Sequence, residues 1–328
     1  MTITQNDHRT MAMKPDEYEA DVLVEAKDIV ADGVTRLTLR HARLQQLPNW
    51  TPGAHIDLIM PSGLVRQYSL MGDPADIDRW QVGILREPSS RGGSSYIHDE
   101  LSVGDLIRVR GPRNHFELEP AKSYHFIAGG IGITPILAML RSAEAAGIPW
   151  RLTYGGRQKS SMGFLAELEE YGDKVELVPQ DTHGHPDLPG IVAGLEPGGL
   201  IYSCGPEGLL NAVEGACLAA GAPAPKFERF APKSIVTKPD EEFEIELQDS
   251  GMTLQVPADK SILSVLRAAG VHTVASCEEG TCGTCEVGVA EGTPEHRDSV
   301  LSAEEQAKND CMMICVSRAC SKKLVLEI

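Results

Sequence analysis

Cysteine spacing constrains this 328-residue chain more than any other feature of its sequence. Six of the eight cysteines lie between residues 277 and 320. Cys277, Cys282 and Cys285 form a C-x4-C-x2-C run, and Cys315 follows after 29 intervening residues. This is the spacing of plant-type 2Fe–2S ligation, in which one tight loop supplies three thiolates and a distant strand supplies the fourth. The sequence therefore predicts a 2Fe–2S cluster held by these four cysteines.

Two alternatives stay open for this segment. A structural zinc ion or reduced thiols without a metal would also use cysteines, but zinc sites favour paired C-x2-C runs and one such pair is present. Cys311 and Cys320 compete with Cys315 as the fourth ligand, and we favour Cys315 because it lies in the apolar, strand-like run MMICVSRA. Within CEEGTCGTC, Gly280 and Gly283 permit positive φ, which lets backbone N–H groups turn toward the sulfurs.

The charge balance excludes two classes of partner. The chain carries 30 basic and 47 acidic residues, a formal net charge of −17, whereas nucleic acid and anionic membranes both require a positive surface. No run approaches about 18 uninterrupted apolar residues, so we expect no membrane span. The first residues do not resemble an export signal, and we expect a short tail over residues 1–17 and a cytoplasmic location.

Periodicity divides the rest of the chain into three units. Residues 19–118 contain short alternating runs, among them RLTLR, HIDLIM and LIRVRG, which are typical of a small barrel or sandwich. Strands and helices then alternate from YHFIAGG to KFERF, which predicts a parallel sheet covered on both faces. The Pro-bearing segment IVTKPD is a predicted linker to the last unit. In that unit EFEIELQ and MTLQV flank DSG, which predicts a β-hairpin with Phe243, Ile245 and Leu247 on one face, and SILSVLRAAG predicts a helix that begins at Ser261. We predict domains over residues 18–118, 119–234 and 235–328.

Three motifs together resemble one family. Arg66-Gln67-Tyr68-Ser69-Leu70, the turn Gly129–Pro135 with the sequence GGIGITP, and the CEEGTCGTC loop occur in the order found in phthalate dioxygenase reductases, including the vanillate O-demethylase reductases. The resemblance covers about residues 18–328. It implies a multidomain protein with an antiparallel β-barrel flavin domain, an α/β Rossmann-like nicotinamide domain and an α+β β-grasp ferredoxin domain.

The resemblance also implies the flavin site. Arg66 is expected to pair with the flavin phosphate, Tyr68 to offer a flat ring to the isoalloxazine, and Ser69 to place a hydroxyl near flavin N5. The glycine-rich loop before YIHDEL offers N–H groups and the positive end of a short helix to a phosphate. The family resemblance carries FMN binding to this loop, and Met71–Pro74 departs from the stretch that FAD-binding relatives have, so FMN is the expected flavin. The expected FMN-binding residues are Arg66, Gln67, Tyr68, Ser69, Gly92, Gly93, Ser94 and Ser95.

The nicotinamide site is expected at the carboxyl ends of the parallel strands. The glycine turn would hold the dinucleotide, with Thr134 near the contact between flavin and nicotinamide. Cys204 matches a nicotinamide-side cysteine of the family, or else is a buried small apolar residue. Phe230 is expected either to stack on the flavin ring or to pack in the core. The expected residues are Gly130, Gly132, Thr134, Pro135, Tyr154, Arg157, Cys204, Gly205, Pro206 and Phe230, of which Thr134, Cys204 and Phe230, with Ser69, are the catalytic candidates.

The resemblance implies an electron-splitting reaction. NADH gives two electrons as hydride, a flavin can release them singly, and a 2Fe–2S cluster accepts one at a time, so the cofactor order follows from their chemistry. The expected acceptor is a Rieske-type oxygenase component, with a cytochrome P450 or another monooxygenase as alternatives. A redox sensor without fast turnover is the second class. Gly155–Lys159 offers positive charge near the adenosine ribose, so NADPH is an alternative donor, and we expect a monomer.

Overall fold

The computed structural model describes residues 17–87, 92–233 and 239–328. Arg91 of the predicted phosphate loop, most of the predicted tail and the predicted boundary at residue 235 lie outside the described residues. Three larger sheets, covering residues 19–114, 123–228 and 243–326, follow one another along the chain, and residues 294–295 and 318–319 form a two-stranded sheet within the last range. In the described ranges, no helix has the length and apolar character that crossing a membrane requires.

The first sheet is the predicted antiparallel barrel. Alternation places Val22 and Val24 of its first strand in the core, together with Leu37 and Leu39 of the second strand. A bridge between Leu70 and Val82 links the two ends of the sheet. The strands are β1 (Glu19–Ala31), β2 (Val34–His41), β3 (Ala54–Ile59), β4 (Val65–Ser69), β5 (Arg79–Leu85) and β6 (Leu106–Asn114). Their order in the sheet is β4-β3-β6-β1-β2-β5, and one short helix, α1 (Gly93–Asp99), follows β5.

The second sheet is parallel throughout, as the alternation of strands and helices predicts. Its strands are β7 (Ser123–Gly129), β8 (Trp150–Gly156), β9 (Val175–Pro179), β10 (Gly199–Cys204) and β11 (Lys226–Glu228). Their order, β11-β10-β7-β8-β9, brings the carboxyl ends of β7, β8 and β10 to one edge, where ligands bind in open α/β sheets. The helices are α2 (Ile133–Ala145), α3 (Leu165–Leu168), α4 (Gln180–His183), α5 (Leu188–Ala193) and α6 (Glu207–Ala220), with 3-10 turns at Gly130–Gly132, Lys159–Ser161 and Glu169–Lys174.

The third sheet is mixed, with the order β13-β12-β18-β14-β16. Phe243, Ile245 and Leu247 share the buried face of the predicted hairpin. The side chain of Ser261 accepts a hydrogen bond from the Ser264 N–H, so it caps helix α7 as predicted. The elements are β12 (Phe243–Leu247), β13 (Thr253–Val256), α7 (Ile262–Ala268), β14 (Glu286–Glu291), β15 (Pro294–Glu295), α8 (Ala303–Lys308), β16 (Cys311–Met313), β17 (Arg318–Ala319) and β18 (Lys323–Leu326).

One local expectation was wrong. The apolar run around Cys315 is not a continuous strand, because β16 ends at Met313 and residues 314–316 form a turn. The turn changes the direction of the chain, so a buried Cys315 faces the cysteine loop instead of continuing along the sheet. Apart from this strand, the predicted fold class is confirmed: an antiparallel barrel, a parallel α/β sheet and a mixed ferredoxin-type sheet.

Candidate functional site

A cavity of about 340 Å³ lies where the three sheets meet. Its volume is within the usual range for small-molecule sites. Predicted residues from all three units form its wall, which joins the barrel strand β4 to the parallel sheet and to the cysteine loop. They are Arg66, Gln67, Tyr68, Ser69, Ser94, Thr134, Phe230 and Cys277.

The barrel end of the cavity has the features of a phosphate cradle. The Arg66 side chain lies against the start of helix α1, and a Cβ at Gly93 would come within 2.5 Å of Arg66 Cγ. Gly92 has a φ of 107°, a left-handed conformation that a glycine adopts at low cost. The Ser94 hydroxyl lines the cavity and accepts a hydrogen bond from the Glu87 N–H at 3.2 Å, and Ser95 follows it in the helix. A guanidinium and a glycine-rich backbone therefore face the same end, which fits a bound phosphate.

The middle of the cavity contains a half-buried acid, Glu228, that the sequence did not indicate. Ser69 Oγ donates a hydrogen bond to Glu228 Oε2 at 3.3 Å, and burial raises the pKa of the Glu228 carboxyl to about 8. The parallel register of β10 and β11 pairs Cys204 with Glu228. Burial, and then the charge of Glu228, raise the pKa of the Cys204 thiol, so it is a neutral group under ordinary conditions. Ser69, Cys204 and Glu228 thus form one polar group.

The predicted dinucleotide turn depends on close backbone approach. A Cβ at Gly132 would lie 2.2 Å from the Cys204 carbonyl oxygen, and one at Gly205 would lie 3.0 Å from Gly129. Gly130 has a φ of 55°. Thr134 is buried on the first turn of α2 and lines the cavity. Its hydroxyl donates a hydrogen bond to the Ile131 carbonyl, which holds the side chain in place. Pro135 is buried in the same turn, and Pro206 precedes helix α6.

Two predicted nucleotide residues lie away from the cavity wall. Tyr154 is fully buried, and its hydroxyl donates to the carbonyls of Gly130 at 3.1 Å and Gly163 at 3.3 Å. Tyr154 therefore stabilises the glycine turn through its hydroxyl, although its ring does not line the cavity. Arg157 is exposed after strand β8, and its carbonyl accepts a hydrogen bond from the Asp181 N–H. Arg157 therefore lies just beyond the carboxyl end of β8.

Phe230 is placed for ring contact with a ligand. It lines the cavity and is 45% exposed, although it is a large apolar side chain. The preceding Arg229 is buried and lies over the Phe227 ring at 5.3 Å. The alternative that Phe230 packs in the core is therefore wrong in this structure.

The cysteine loop has the donor set and backbone geometry that an iron–sulfur cluster requires. Hydrogen bonds from Cys282 and Cys315 lower the pKa of the Cys277 thiol, and the Cys285 thiol is similarly paired with Cys315. These contacts link the four sulfurs in a chain from Cys282 to Cys277, Cys315 and Cys285. Gly280 and Gly283 have φ values of 70° and 71°, as predicted. The N–H groups of two loop residues, Glu279 and Thr281, point to the Cys277 sulfur at 3.3 and 3.5 Å.

Sequence reasoning missed several residues of the cavity wall. His55 is almost completely buried beside Cys277, and burial together with Arg113 lowers the pKa of its imidazole to about 3, so this ring is neutral. Ile131, Glu279 and Thr281 also line the cavity. Each lies beside a predicted motif, and that adjacency was the available signal for them. Glu228 had a weaker signal, since it stands alone as a carboxylate between Phe227 and Arg229.

Comparison with known proteins agrees with this arrangement. The family model described as a 2Fe-2S iron-sulfur cluster binding domain matches residues 245–320. The phenoxybenzoate dioxygenase subunit beta of Ectopseudomonas oleovorans is 43% identical over 301 residues, which are 91% of this chain and 94% of that protein.

Two solved structures extend the comparison to three dimensions. Phthalate dioxygenase reductase, described as a modular structure for electron transfer from pyridine nucleotides to [2Fe-2S], superposes with a TM-score of 0.68 at 34% identity, covering 94% of this chain and 98% of that one. An intact type IV self-sufficient cytochrome P450 monooxygenase superposes with a TM-score of 0.88 at 43% identity over 94% of this chain. This chain spans only 41% of that longer protein.

The resemblance predicted from the sequence motifs is therefore confirmed, and so are its expected cofactors, FMN, NADH and a 2Fe–2S cluster. The cavity agrees with it, since one site joins a phosphate cradle, a nucleotide turn and a cysteine loop. The chain belongs to the phthalate dioxygenase reductase family, the flavin and iron–sulfur oxidoreductases that serve as reductase components of multicomponent oxygenase systems.

Proposed function

We propose that this reductase takes a hydride from NADH at its FMN and delivers single electrons to a Rieske-type oxygenase component. The electrons would pass through a 2Fe–2S cluster held by Cys277, Cys282, Cys285 and Cys315. The observation that carries the proposal is the shared cavity, whose wall combines Arg66 and Ser69 of the barrel, Thr134 of the nucleotide turn and Cys277 of the cysteine loop. A flavin in this cavity would contact both its electron donor site and a cluster ligand.

The chain's own groups would hold the flavin in one orientation. Arg66 and the N–H groups of Gly93, Ser94 and Ser95 would bind the phosphate, because a guanidinium and a helix N-terminus both favour an anion. Gln67 and Tyr68 would line the long side of the ring, and burial keeps the Tyr68 phenol protonated because it raises the pKa of this group. Phe230 would cover the opposite side until the nicotinamide displaces it.

Ser69, Thr134, Cys204 and Glu228 would organise the hydride-transfer side of the cavity. Bound flavin accepts a hydride and releases electrons one at a time, which matches a two-electron donor to a one-electron cluster. With a pKa near 8, Glu228 holds a proton at neutral pH, and its Oε2 accepts a hydrogen bond from Ser69 Oγ at 3.3 Å. The polar group therefore offers hydrogen bonds without placing a fixed negative charge beside the incoming NADH.

The nucleotide would lie along the carboxyl edge of the parallel sheet. Gly130, Gly132, Gly205 and Pro206 would hold the pyrophosphate. A Cβ at Gly132 or Gly205 would meet neighbouring backbone, so these glycines let the turn pack closely against the end of β10, and a Cβ at Gly130 would have no neighbour within 4 Å. Arg157 is exposed just after β8, where it would face the adenosine ribose of a bound nucleotide. We propose NADH as the donor and NADPH as the alternative that Arg157 would favour.

A second acceptor is supported by one observation. The self-sufficient P450 monooxygenase that matches over 94% of this chain contains a homologous segment within a single polypeptide. We therefore retain delivery of electrons to a cytochrome P450 as the alternative. Mixing the reduced protein with a purified Rieske oxygenase and with a purified P450 distinguishes the two, since the true partner is reduced at a rate that saturates with its concentration.

The proposal is tested by anaerobic titration of the protein, purified with FMN and iron, against NADH. We expect bleaching of the flavin absorbance and of the visible iron–sulfur absorbance, with the cluster taking part of the electrons added. Flavin that binds but is not reduced by NADH or NADPH would indicate a redox sensor instead. The domain limits 18–118, 119–234 and 235–328, the monomeric state and the cytoplasmic location stay predictions.

A further inference from the structure

A fully buried carboxylate lies outside the groups used for hydride transfer. Asp57 is on β3 of the barrel and has no exposed surface. Its Oδ2 accepts hydrogen bonds from Arg110 Nε at 3.0 Å and Nη2 at 2.8 Å, and its Oδ1 accepts one from Arg113 Nη2 at 2.5 Å. Strand register brings these groups together, since Asp57 pairs with Arg110 on β6 and with Gln67 on β4. A buried charge with two cationic partners is a stable, well-oriented acceptor.

The third partner of this carboxylate comes from the ferredoxin unit, 219 residues away. Ser276 Oγ donates to Asp57 Oδ1 at 2.7 Å and accepts a hydrogen bond from Gln67 Nε2 at 3.3 Å. Arg110 Nη2 also donates to the Ala275 carbonyl at 3.3 Å. We name Asp57, Gln67, Arg110, Arg113 and Ser276 the junction cluster. It uses both oxygens of Asp57 and both hydrogen-bonding functions of the Ser276 hydroxyl.

Ser276 lies next to one of the predicted ligands of the iron–sulfur cluster. Ser276 directly precedes Cys277, whose side chain lines the flavin cavity. A second contact supports the same loop, because a Cβ at Gly283 would come within 2.6 Å of His115 Nε2 on the barrel side. The barrel therefore holds the cysteine loop at two points, one by charge-assisted hydrogen bonds and one by ring packing.

We propose that the junction cluster fixes the separation between the flavin and the iron–sulfur cluster, so that Asp57 and Ser276 are positioning residues for electron transfer between the two. This inference rests on the proposed function. Electron transfer slows steeply with distance, so a loop that moves relative to the barrel would spend less time at transfer distance. Among the described residues, the side chain of Ser276 bonds to Asp57 and Gln67 but to none of Ser69, Thr134, Cys204 and Glu228, so hydride transfer on the other side of the cavity would not depend on it.

The test uses the full protein loaded with FMN and its cluster. Ser276→Ala removes the donor to Asp57 and leaves both arginines paired, Ser276→Thr restores a hydroxyl, and Ser264→Ala is the control because that exposed hydroxyl bonds only locally to Ser261 in the described contacts. Rapid mixing with NADH gives the rate of flavin reduction and the later rate of cluster reduction. Hydrogen exchange followed by mass spectrometry reports loop opening without turnover.

In Ser276→Ala we expect cluster reduction to slow by about tenfold, the effect of losing one hydrogen bond to a charged group on the population of the docked loop. Flavin reduction by NADH stays within about twofold of the wild-type rate, and amides of residues 274–281 exchange faster. Ser276→Thr recovers much of both effects, and Ser264→Ala shows neither. Unchanged cluster reduction and unchanged exchange in Ser276→Ala would overturn the inference, and so would an equal slowing of both steps. Absence of NADH oxidation in the wild type would instead reject the proposed function.

Discussion

At the scale of single residues, Glu228 is an acid in an environment that disfavours its charged form. None of the cations among the described residues neutralises it, and its hydrogen-bond partner is the neutral Ser69 hydroxyl. Burial of a carboxylate without a counter-charge favours its protonated form. The charge state of this side chain should therefore be visible in the stability of the whole protein.

We expect Glu228→Gln to change how stability depends on pH. The pKa of Glu228 is about 8 in the folded protein and near its ordinary value of 4.5 in the unfolded chain, so the folded state binds more protons between these limits. Stability from this group is thus full below pH 4.5 and is lost as the pH rises toward 8. The variant lacks this loss, and relative to wild type it gains on the order of 3 kcal/mol between pH 5 and 8.

Thermal unfolding of wild type and variant at several pH values measures this difference. Glu214→Gln is the matched control, because Glu214 is exposed on helix α6. The control should follow the wild-type profile throughout. Parallel profiles for wild type and Glu228→Gln would show that Glu228 has the same proton occupancy in both states.

At the scale of elements, the site is assembled where backbones approach more closely than side chains allow. The nucleotide turn touches the end of β10 at Gly132, and the cysteine loop touches the turn after β16 at Gly280. These two contacts involve different units and different ligands. Each can be tested with an alanine whose added methyl group has a defined neighbour.

Gly132→Ala should destabilise the nucleotide unit. Its φ of −61° suits any residue, so the cost arises only from the methyl group, which would lie 2.2 Å from the Cys204 carbonyl oxygen. We expect a loss of about 1–3 kcal/mol in unfolding free energy and weaker NADH binding. Gly215→Ala, in helix α6 with no neighbour within 4 Å, should instead be neutral or stabilising by about 0.5–1 kcal/mol. Equal effects of the two changes in chemical denaturation would contradict the close approach.

Gly280→Ala should lower the cluster content of purified protein. A Cβ at this position would lie 2.5 Å from Val316 Cγ2 and 3.1 Å from Asp298 Cα, and the residue has a φ of 70°. Gly270→Ala is the control, since it has a φ of 77° in the same unit but no neighbour within 4 Å. It therefore carries the backbone strain without the clash. Iron and sulfide analysis should give reduced occupancy for Gly280→Ala alone, and full occupancy in both variants would argue against the loop geometry.

The elements also show what could be predicted from sequence. Local patterns are sufficient where the signal is contained in a few residues, as with the cysteine spacing, the Ser261 cap and the hairpin alternation. Glu228 was missed because its burial depends on β11 lying beside β10 and on the barrel covering both. Asp57 and Ser276 were missed for the same reason, since the fold joins residues 219 positions apart. The strand predicted around Cys315 was too long, because the apolar run gives no sign of the turn at residues 314–316.

At the scale of the whole molecule, charge is distributed unevenly. Residues 235–328 carry 17 acidic and 8 basic residues, a net charge of −9, on the unit that would meet the acceptor. Two of the acidic residues beside the cysteine ligands are not simple surface charges. Glu278 is exposed but forms an ion pair with Arg267, and Glu279 lines the flavin cavity. Docking would therefore depend on the summed charge of the unit more than on these two carboxylates.

We expect salt to separate electron delivery from hydride transfer. Raising the ionic strength to about 1 M shortens the Debye length to about 3 Å, which screens attraction between the acidic unit and a basic partner. The rate of reduction of the oxygenase should fall by about tenfold or more, because steering acts on association. NADH oxidation with ferricyanide as acceptor should change far less. An equal decrease in both rates would remove electrostatic docking from the account.

The central claim is that one polypeptide passes electrons from a nicotinamide through a flavin to its own iron–sulfur cluster. The most direct measurement is low-temperature electron paramagnetic resonance of the anaerobic, purified protein after addition of NADH alone. We predict the signal of a reduced 2Fe–2S centre in most of the molecules that contain iron. Flavin that bleaches while the iron–sulfur centre stays oxidised, or a protein with no such centre at all, would contradict the claim.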